Sequence, residues 1–361
     1  MKKILSFVLA LTMVMALFVG CGQKTEPTEG NKPAEGQQKE EEKPKIKIGL
    51  ATDEGGKGDK SFNDAAIAGL EKIQKDYGIE PVILESKQND QYEPNLKNLA
   101  EANDLVFAIG FKMADATKKV AEANPDKKFG IVDEEVKLPN VVSIKFKEHE
   151  GSFLVGVVAA KTSKNGKIGF VGGIDSPLIQ KFEAGFIAGV KSVNPEAAKD
   201  LESRKNVRYA ASFSDVNKGY ELAKQLYNSG CDVIYHAAGG VGIGVFNAAK
   251  EMKKYAIGVD SDQALTVPDA KDVILCSMIK KVDVGTYTVS KDAMDGNFKG
   301  GQTLELGLKE DCVGISPTVN PAVSKETLDL ANKYRDEIIK GSIKVPSTLD
   351  EAKSFQPVEL K

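Results

Sequence analysis

Histidine, cysteine and tryptophan are scarce in this chain of 361 residues, which has two histidines, four cysteines and no tryptophan. A metal site built from histidine and cysteine therefore has few candidate ligands. An excess of basic residues is also missing, because 49 basic and 52 acidic side chains give a net charge of −3. Nucleic-acid-binding domains are usually strongly basic. We therefore expect the protein to bind no metal, no other cofactor and no nucleic acid.

Motifs of common enzyme chemistry are absent too, since the sequence contains no GxSxG, HExxH or CxxC. Glycine-rich turns occur at residues 52–64 and 236–250, but the first departs from the phosphate-binding GxxxxGK[ST] and the second from the dinucleotide-binding GxGxxG. His149 and His236 lie in different regions, and a contact of His236 with a ligand stays open. The sequence favours a binding protein, with an exported NAD-linked or carboxylate-using enzyme as the alternative.

The N-terminus has the features of an export signal. Lys2 and Lys3 precede an apolar-rich run over residues 4–19, which is followed by Gly20 and Cys21. A basic start and a run of this length predict a signal peptide over residues 1–20. A small residue before a cysteine resembles the bacterial lipobox, although Phe18 stands where leucine is usual. We expect lipidation of Cys21; the alternative is an ordinary secretory signal with an incidental cysteine.

The residues after Cys21 change in composition. Residues 22–45 contain Ala34 as their single hydrophobic residue, so they cannot bury enough apolar surface to fold. With Cys21 they form a predicted disordered tether over residues 21–45. The remaining cysteines, Cys231, Cys276 and Cys312, are odd in number and widely spaced, and we interpret them as packing residues.

From residue 46 onward, short apolar strands alternate with amphipathic helices in two cycles, which open with KIKIGLAT (45–52) and GKIGFVGG (166–173). This alternation predicts an α/β protein with two lobes, each a mostly parallel sheet flanked by helices. We expect the N-terminal lobe at residues 46–147, completed by about 265–310. The C-terminal lobe is expected at 148–264, with residues 311–361 packing on the lobes.

Candidate binding residues follow the predicted strands. Asp53, Asp133 and Asp260 stand at strand ends, where α/β sheets bind ligands, although each could instead cap a helix or stabilise a turn. Phe62 lies in a polar loop and is either an aromatic platform or an anchor for the next helix. Lys280 lies among apolar residues and is a candidate donor to hydroxyl groups, a partner of Asp260, or a strand-edge lysine.

Several segments together resemble one family, the basic membrane protein lipoproteins, which include purine nucleoside receptors of ABC transporters. The segments include GDKSFND (58–64), FGIVD (129–133), AAGGVGIGVFNAAKE (237–251) and SMIKKVDVG (277–285). The resemblance implies a type I periplasmic binding protein fold, with lobes that close on a ligand. It also implies a lipid-anchored protein on the extracytoplasmic face of the cell membrane. The two lobes leave the oligomeric state open, and a monomer is the simpler expectation. That protein would pass nucleosides to an ABC permease and ATPase; a sugar or a signalling molecule is the alternative ligand.

The same resemblance implies roles for individual residues. Phe62 and Phe182 would sandwich the base, and Asp133 would read its hydrogen-bonding edge. Asp260 and Lys280 would hold the ribose hydroxyls. The remaining contributors are Asp53 and Asn63 from the first loop, and backbone contacts from Gly239 or Gly240. GFK (110–112) departs from many relatives, which could alter base preference.

Overall fold

Two six-stranded sheets organise the chain in a computed structural model that describes residues 46–360. The predicted signal peptide, the lipidated Cys21 and the tether lie outside these residues. The strands are β1 (Ile48–Ala51), β2 (Val82–Leu84), β3 (Leu105–Ile109), β4 (Lys128–Val132), β5 (Val141–Phe146), β6 (Ile168–Gly172), β7 (Val207–Tyr209), β8 (Val233–Ala237), β9 (Tyr255–Asp260), β10 (Ile274–Lys280), β11 (Thr303–Leu306) and β12 (Val313–Ile315).

Helices connect the strands and cover both sheets. They are α1 (Phe62–Tyr77), α2 (Tyr92–Ala102), α3 (Ala114–Ala123), α4 (Glu148–Thr162), α5 (Pro177–Lys191), α6 (Pro195–Glu202), α7 (Val216–Asn228), α8 (Val241–Met252), α9 (Gln263–Thr266), α10 (Val282–Met294), α11 (Lys325–Ile339) and α12 (Leu349–Ser354). Among residues 46–360, none of these helices has the length and apolar character needed to cross a membrane.

The two sheets have matching strand orders, β2-β1-β3-β4-β5-β11 and β7-β6-β8-β9-β10-β12. All paired strands of the first sheet run parallel, and in the second only β12 is antiparallel, to β10. Central strands such as β3 and β8 are buried along their whole length, as expected when helices cover both faces of a parallel sheet. The predicted two-lobed α/β architecture is confirmed.

The chain crosses between the sheets three times. The crossovers are at Lys147 between β5 and α4, at Lys281 between β10 and α10, and at residues 307–312 between β11 and β12. Because α4 packs on α5 and α10 packs on α1, each crossover moves the chain from one lobe to the other. We call residues 46–146 and 282–306 the first lobe, and residues 148–280 and 313–360 the second lobe.

These boundaries differ from the expected ones in one segment. We expected residues of about 265–310 to complete the first lobe, but β10 lies in the second sheet, and only α10 and β11 join the first lobe. A strand buried on both faces carries no sequence signal for the sheet it joins, which explains the difference. In the C-terminal segment, α11 packs on α4 and α12 on α5. Cys231, Cys276 and Cys312 are buried and have free thiols, which agrees with their interpretation as packing residues.

Candidate functional site

A cleft of about 490 Å³ lies between the carboxyl ends of the two sheets, the edge at which α/β sheets usually bind ligands. The first lobe contributes one wall and the second lobe the other. The first wall consists of Asp53, Asp59, Phe62, Asn63, Gly110, Phe111 and Asp133. The second wall consists of Leu178, Ile179, Phe182, Phe213, Ala237, Ala238, Gly239, Val259 and Asp260.

The start of α1 is capped in an unusual way. The carboxylate of Asp59 accepts hydrogen bonds from the backbone N–H groups of Ser61 (2.9 Å), Asn63 (2.8 Å) and Asp64 (3.1 Å). Ser61 occupies the N-cap position, yet its side chain makes no capping hydrogen bond within the described chain. Its hydroxyl instead donates to Asp260 Oδ2 across the cleft, at 2.5 Å. Capping by Asp59 therefore leaves the Ser61 hydroxyl available to join the lobes.

Asn63 holds the carboxylates of the first wall in place. Its Nδ2 donates to Asp53 Oδ1 at 2.7 Å and to Asp59 Oδ2 at 3.0 Å, and its Oδ1 accepts from the Asp53 N–H at 3.2 Å. Burial raises the pKa of Asp53 to about 6, although the hydrogen bonds from Asn63 and the Gly55 N–H oppose this rise. Asp53 and Asn63 thus form a fixed polar unit at the end of β1.

Asp133 and Asp260 occupy equivalent positions in the two lobes. Asp133 directly follows β4, Asp260 ends β9, and both have left-handed backbone conformations with φ of 71° and 64°. Such φ values are unfavourable for residues with a Cβ and persist where surrounding contacts maintain them, often at functional sites. Neither residue is an N-cap in this structure, so the alternative role in helix capping is not observed for them.

Lys280 pairs with Asp133 rather than with Asp260. Its Nζ lies 2.5 Å from Asp133 Oδ2 and 3.3 Å from Glu148 Oε1. Burial alone would lower the pKa of Lys280, but the carboxylates of Asp133, Glu148 and Asp260 raise it to about 12. Asp133 Oδ1 is buried and has no hydrogen-bond partner among residues 46–360. Asp133 therefore brings one occupied and one free acceptor oxygen to the cleft.

Asp260 lacks a direct cationic partner in the described structure, whereas Asp133 has Lys280. Burial raises its pKa to about 7, and the charge of Lys280 and the hydrogen bond from Ser61 only partly oppose this rise. The carboxyl group of Asp260 therefore changes its protonation near neutral pH.

Aromatic rings border both walls of the cleft. The rings of Phe62 and Phe182 lie 4.9 and 5.5 Å from the Nζ of Lys280, measured to the ring centroids. Phe111 and Phe213 form a second pair across the cleft, edge to face at 6.4 Å. Flat faces of this kind suit a flat, unsaturated ligand group.

The lobes also contact each other at the rim of the cleft. The carbonyl oxygen of Lys60 accepts hydrogen bonds from Ser261 Oγ at 2.8 Å and from Gln263 Nε2 at 3.0 Å. Gln263 Oε1 lies 3.0 Å from Nε2 of the fully buried His236. His236 is not among the residues lining the cleft in the described chain; it supports the rim through Gln263.

The chain matches one known protein family over most of its length. The family described as ABC transporter substrate-binding protein PnrA-like matches residues 45–349. The chain belongs to this family. It is 40% identical to the CD4+ T-cell-stimulating antigen of Listeria monocytogenes, over 96% of this chain and 99% of that protein. It is 37% identical to the ABC transporter nucleoside-binding protein BmpA of Lactococcus lactis, over 84% and 89%.

A solved structure supports the same conclusion. The ABC transporter solute-binding protein from Aeropyrum pernix K1 superposes with a TM-score of 0.75 at 28% identity, covering 85% of this chain and 96% of that one. The resemblance to basic membrane proteins and the periplasmic binding protein fold, both inferred from sequence, are confirmed. As a PnrA-like protein, the chain belongs to the substrate-binding proteins of ABC transporters.

The structure of this PnrA-like protein brings most of the predicted site residues together. The cleft is lined by Asp53, Phe62, Asn63, Asp133, Phe182, Gly239 and Asp260. Gly239 has a φ of 57°, which favours glycine, and an added Cβ would lie 3.1 Å from the carbonyl oxygen of Phe213. Gly240 and Lys280 are not in the described lining; Gly240 follows the turn, and Lys280 lies behind Asp133.

Sequence reasoning missed several residues of the site. The sequence does not distinguish Asp59 from the other acidic residues of its loop, because its capping of α1 depends on the loop geometry. Phe213 lies in the polar segment ASFSD (211–215), so the argument that selected Phe62 would also have found it. Phe111 lies in the GFK segment, which was noted only as a departure from relatives. The apolar residues of α5 gave no signal, since core residues show the same pattern.

Proposed function

We propose that this protein binds purine nucleosides between its two lobes and delivers them to an ABC importer. The lactococcal relative, at 37% identity, is named a nucleoside-binding protein, which supports the ligand class. Membership in the PnrA-like family supports the partnership with a permease and an ATPase.

The observation that carries the proposal is the free oxygen of Asp133 next to aromatic rings. A purine has flat faces for stacking, and its edge carries N–H donors. Asp133 Oδ1 is a buried acceptor without a partner in the described chain, and Asp133 shares the cleft with Phe62 and Phe182. A buried acceptor of this kind is costly unless a ligand donor satisfies it. Asp133 would therefore select bases with a matching donor.

The ribose would lie against the remaining polar groups. Asp260 from the second lobe, and Asp53 with Asn63 from the first, offer acceptors suited to hydroxyl donors. Gly239 allows close approach to the backbone at the turn after β8. Lys280 would act on the ribose only indirectly, since its Nζ is engaged by Asp133 and Glu148.

Calorimetric titration with adenosine, guanosine, inosine, cytidine and ribose tests the ligand. We expect purine nucleosides to bind most tightly, and Phe62→Ala to weaken them by about 30-fold through lost stacking. Phe298→Ala, which changes a ring outside the cleft, is the matched control and should leave affinity unchanged. If ribose bound as tightly as nucleosides and Phe62→Ala had no effect, the ligand would be a sugar.

The proposal includes a lipid anchor at Cys21 that holds the protein on the extracytoplasmic face of the membrane. It rests on the run over residues 4–19 followed by Gly20-Cys21. Metabolic labelling with palmitate should mark the wild-type protein, and Cys21→Ser should abolish the label and release the protein from membranes. A labelled Cys21→Ser variant would contradict the anchor.

A further inference from the structure

A buried ion cluster extends from the cleft toward the surface of the second lobe. Asp133 Oδ2 and Glu148 Oε1 lie 2.5 and 3.3 Å from Lys280 Nζ, and Glu148 Oε2 lies 2.6 Å from Lys181 Nζ. Lys181 also donates to the carbonyl oxygen of Phe146 at 2.8 Å. Asp133 lines the cleft, whereas Glu148, Lys181 and Lys280 do not belong to its described lining.

The cluster connects both lobes through two crossovers. Glu148 is the first residue of α4, next to the crossover at Lys147, and Lys280 ends β10, next to the crossover at Lys281. Asp133 belongs to the first lobe and Lys181, on α5, to the second. Glu148 is completely buried, whereas the side chain of Lys181 is 22% exposed. Lys181 is therefore the solvent-facing end of the ion cluster.

The charges in the cluster balance. Two carboxylates and two ammonium groups give no net charge, and a buried charge needs such compensation to stay ionised. Burial is the main reason that the pKa of Asp133 is raised; Lys280 and Lys181 oppose this rise, and Glu148 adds to it. Asp260 and Asp133 also oppose each other's ionisation. Within residues 46–360, His149 and Tyr235 also interact with the cluster. Burial lowers the pKa of His149 to about 4, so it stays neutral above pH 5.

We propose that Glu148 and Lys181 are positioning residues for ligand recognition: Glu148 shares Lys280 with Asp133, and Lys181 compensates the charge of Glu148. Together they set how readily Asp133 ionises while one of its oxygens stays free to accept a hydrogen bond. This role rests on the proposed nucleoside function. Removing the charge of Lys181 leaves excess negative charge, which a proton on Asp133 would relieve. Removing the charge of Glu148 leaves excess positive charge, which favours the ionised form of Asp133. A residue outside the cleft thus sets the pH range over which the cleft recognises its ligand.

The first experiment measures adenosine affinity of the full chain by calorimetry from pH 5 to pH 9. In Lys181→Met, we expect the pH at which acidification weakens binding to move upward by about one unit. Lys181→Arg should restore the wild-type profile. The matched control is Lys191→Met. Lys191 lies on the same helix, its side chain is 17% exposed, and its Nζ lies 2.8 Å from Glu202 Oε1. This substitution should leave the pH profile of binding unchanged.

Glu148→Gln should shift the pH dependence of adenosine binding in the opposite direction. Its acid limit of binding should move to lower pH, because Asp133 then faces more uncompensated positive charge. Structural damage alone would not displace the two profiles in opposite directions. If Glu148→Gln does not fold, Lys181→Met still tests the proposal.

The second experiment needs no ligand. Carbon NMR of protein labelled at the aspartate carboxyl groups follows the titration of Asp133 directly, with its resonance assigned by Asp133→Asn. We expect the Asp133 titration to move upward in Lys181→Met and not in Lys191→Met. An unchanged Asp133 titration in Lys181→Met would overturn the proposal. Failure of the wild type to bind nucleosides, with that titration moved as expected, would instead overturn the proposed function.

Discussion

The two walls of the cleft come from lobes with matching sheets, but they differ in chemistry. The first wall contains three of the lining carboxylates in the described chain, with Asn63 between two of them. The second wall has Asp260 among mostly apolar side chains such as Leu178, Ile179 and Val259. Apolar area provides binding energy without direction, whereas fixed polar groups determine the orientation of a ligand. The same architecture thus supplies orientation from one lobe and contact area from the other.

The largest expected effect is a difference in stability between substitutions of the two equivalent carboxyl groups, Asp133 and Asp260. Asp133→Asn removes a partner of buried Lys280 and should lower the free energy of unfolding by about 3 kcal/mol. Asp260→Asn loses mainly the hydrogen bond from Ser61 and should cost about 1 kcal/mol. Urea unfolding without ligand at pH 6 measures both. Equal losses would show that the two lobes hold their carboxyl groups in the same way.

The second prediction uses the negative charge of the first wall. A nucleoside monophosphate should bind about 50-fold more weakly than its nucleoside, because the wall carboxylates repel the phosphate. Asp59→Asn, which keeps one oxygen to accept from the N–H groups of Ser61 and Asp64, should reduce this difference several-fold. Competition calorimetry with adenosine and its 5′-phosphate measures the ratio. Glu71→Gln, on the exposed face of α1, is the control; an equal effect there would point to general surface charge.

The third prediction concerns pH. The pKa of Asp260 is about 7 in the folded protein and should be near 3.8 when unfolded, so the folded state binds this proton more strongly. Stability from this group is therefore present at low pH and is lost as pH rises toward 7. Between pH 5 and pH 8, the free energy of unfolding of Asp260→Asn should therefore rise by about 2 kcal/mol relative to that of the wild type. Unfolding curves at both pH values, without ligand, check this; a constant difference would contradict it.

The smallest expected effect concerns the contact of Ser61 across the cleft. Ser61→Ala should leave α1 intact, because Asp59 provides the cap, and should reduce nucleoside affinity by about three-fold through the lost bond to Asp260. Thermal unfolding and calorimetry separate the two effects. A loss of stability clearly larger than the loss of about 1 kcal/mol expected for Asp260→Asn, which removes the same bond, would show that Ser61 also caps α1.

The sequence was sufficient to predict the main elements of the fold and the binding residues that stand at the ends of strands. Asp53, Asp133 and Asp260 follow apolar strands, so their placement at one edge followed from parallel-sheet geometry. The partner of Lys280 did not follow, because pairing with Asp133 rather than Asp260 depends on how the lobes meet. The sheet that β10 joins, and the role of Asp59 as a cap, likewise depend on contacts distant in sequence or on loop geometry.

The three crossovers limit how the protein opens. A single linker lets two bodies twist and slide, but three parallel connections at Lys147, Lys281 and residues 307–312 restrict them largely to rotation about one line. Glu148 and Lys280 adjoin two of these connections, so opening should move them little, whereas it has to break the bond between Ser61 and Asp260, which joins the lobes. An open form restricted in this way should explore few orientations, so that capture of a ligand should cost little rotational entropy.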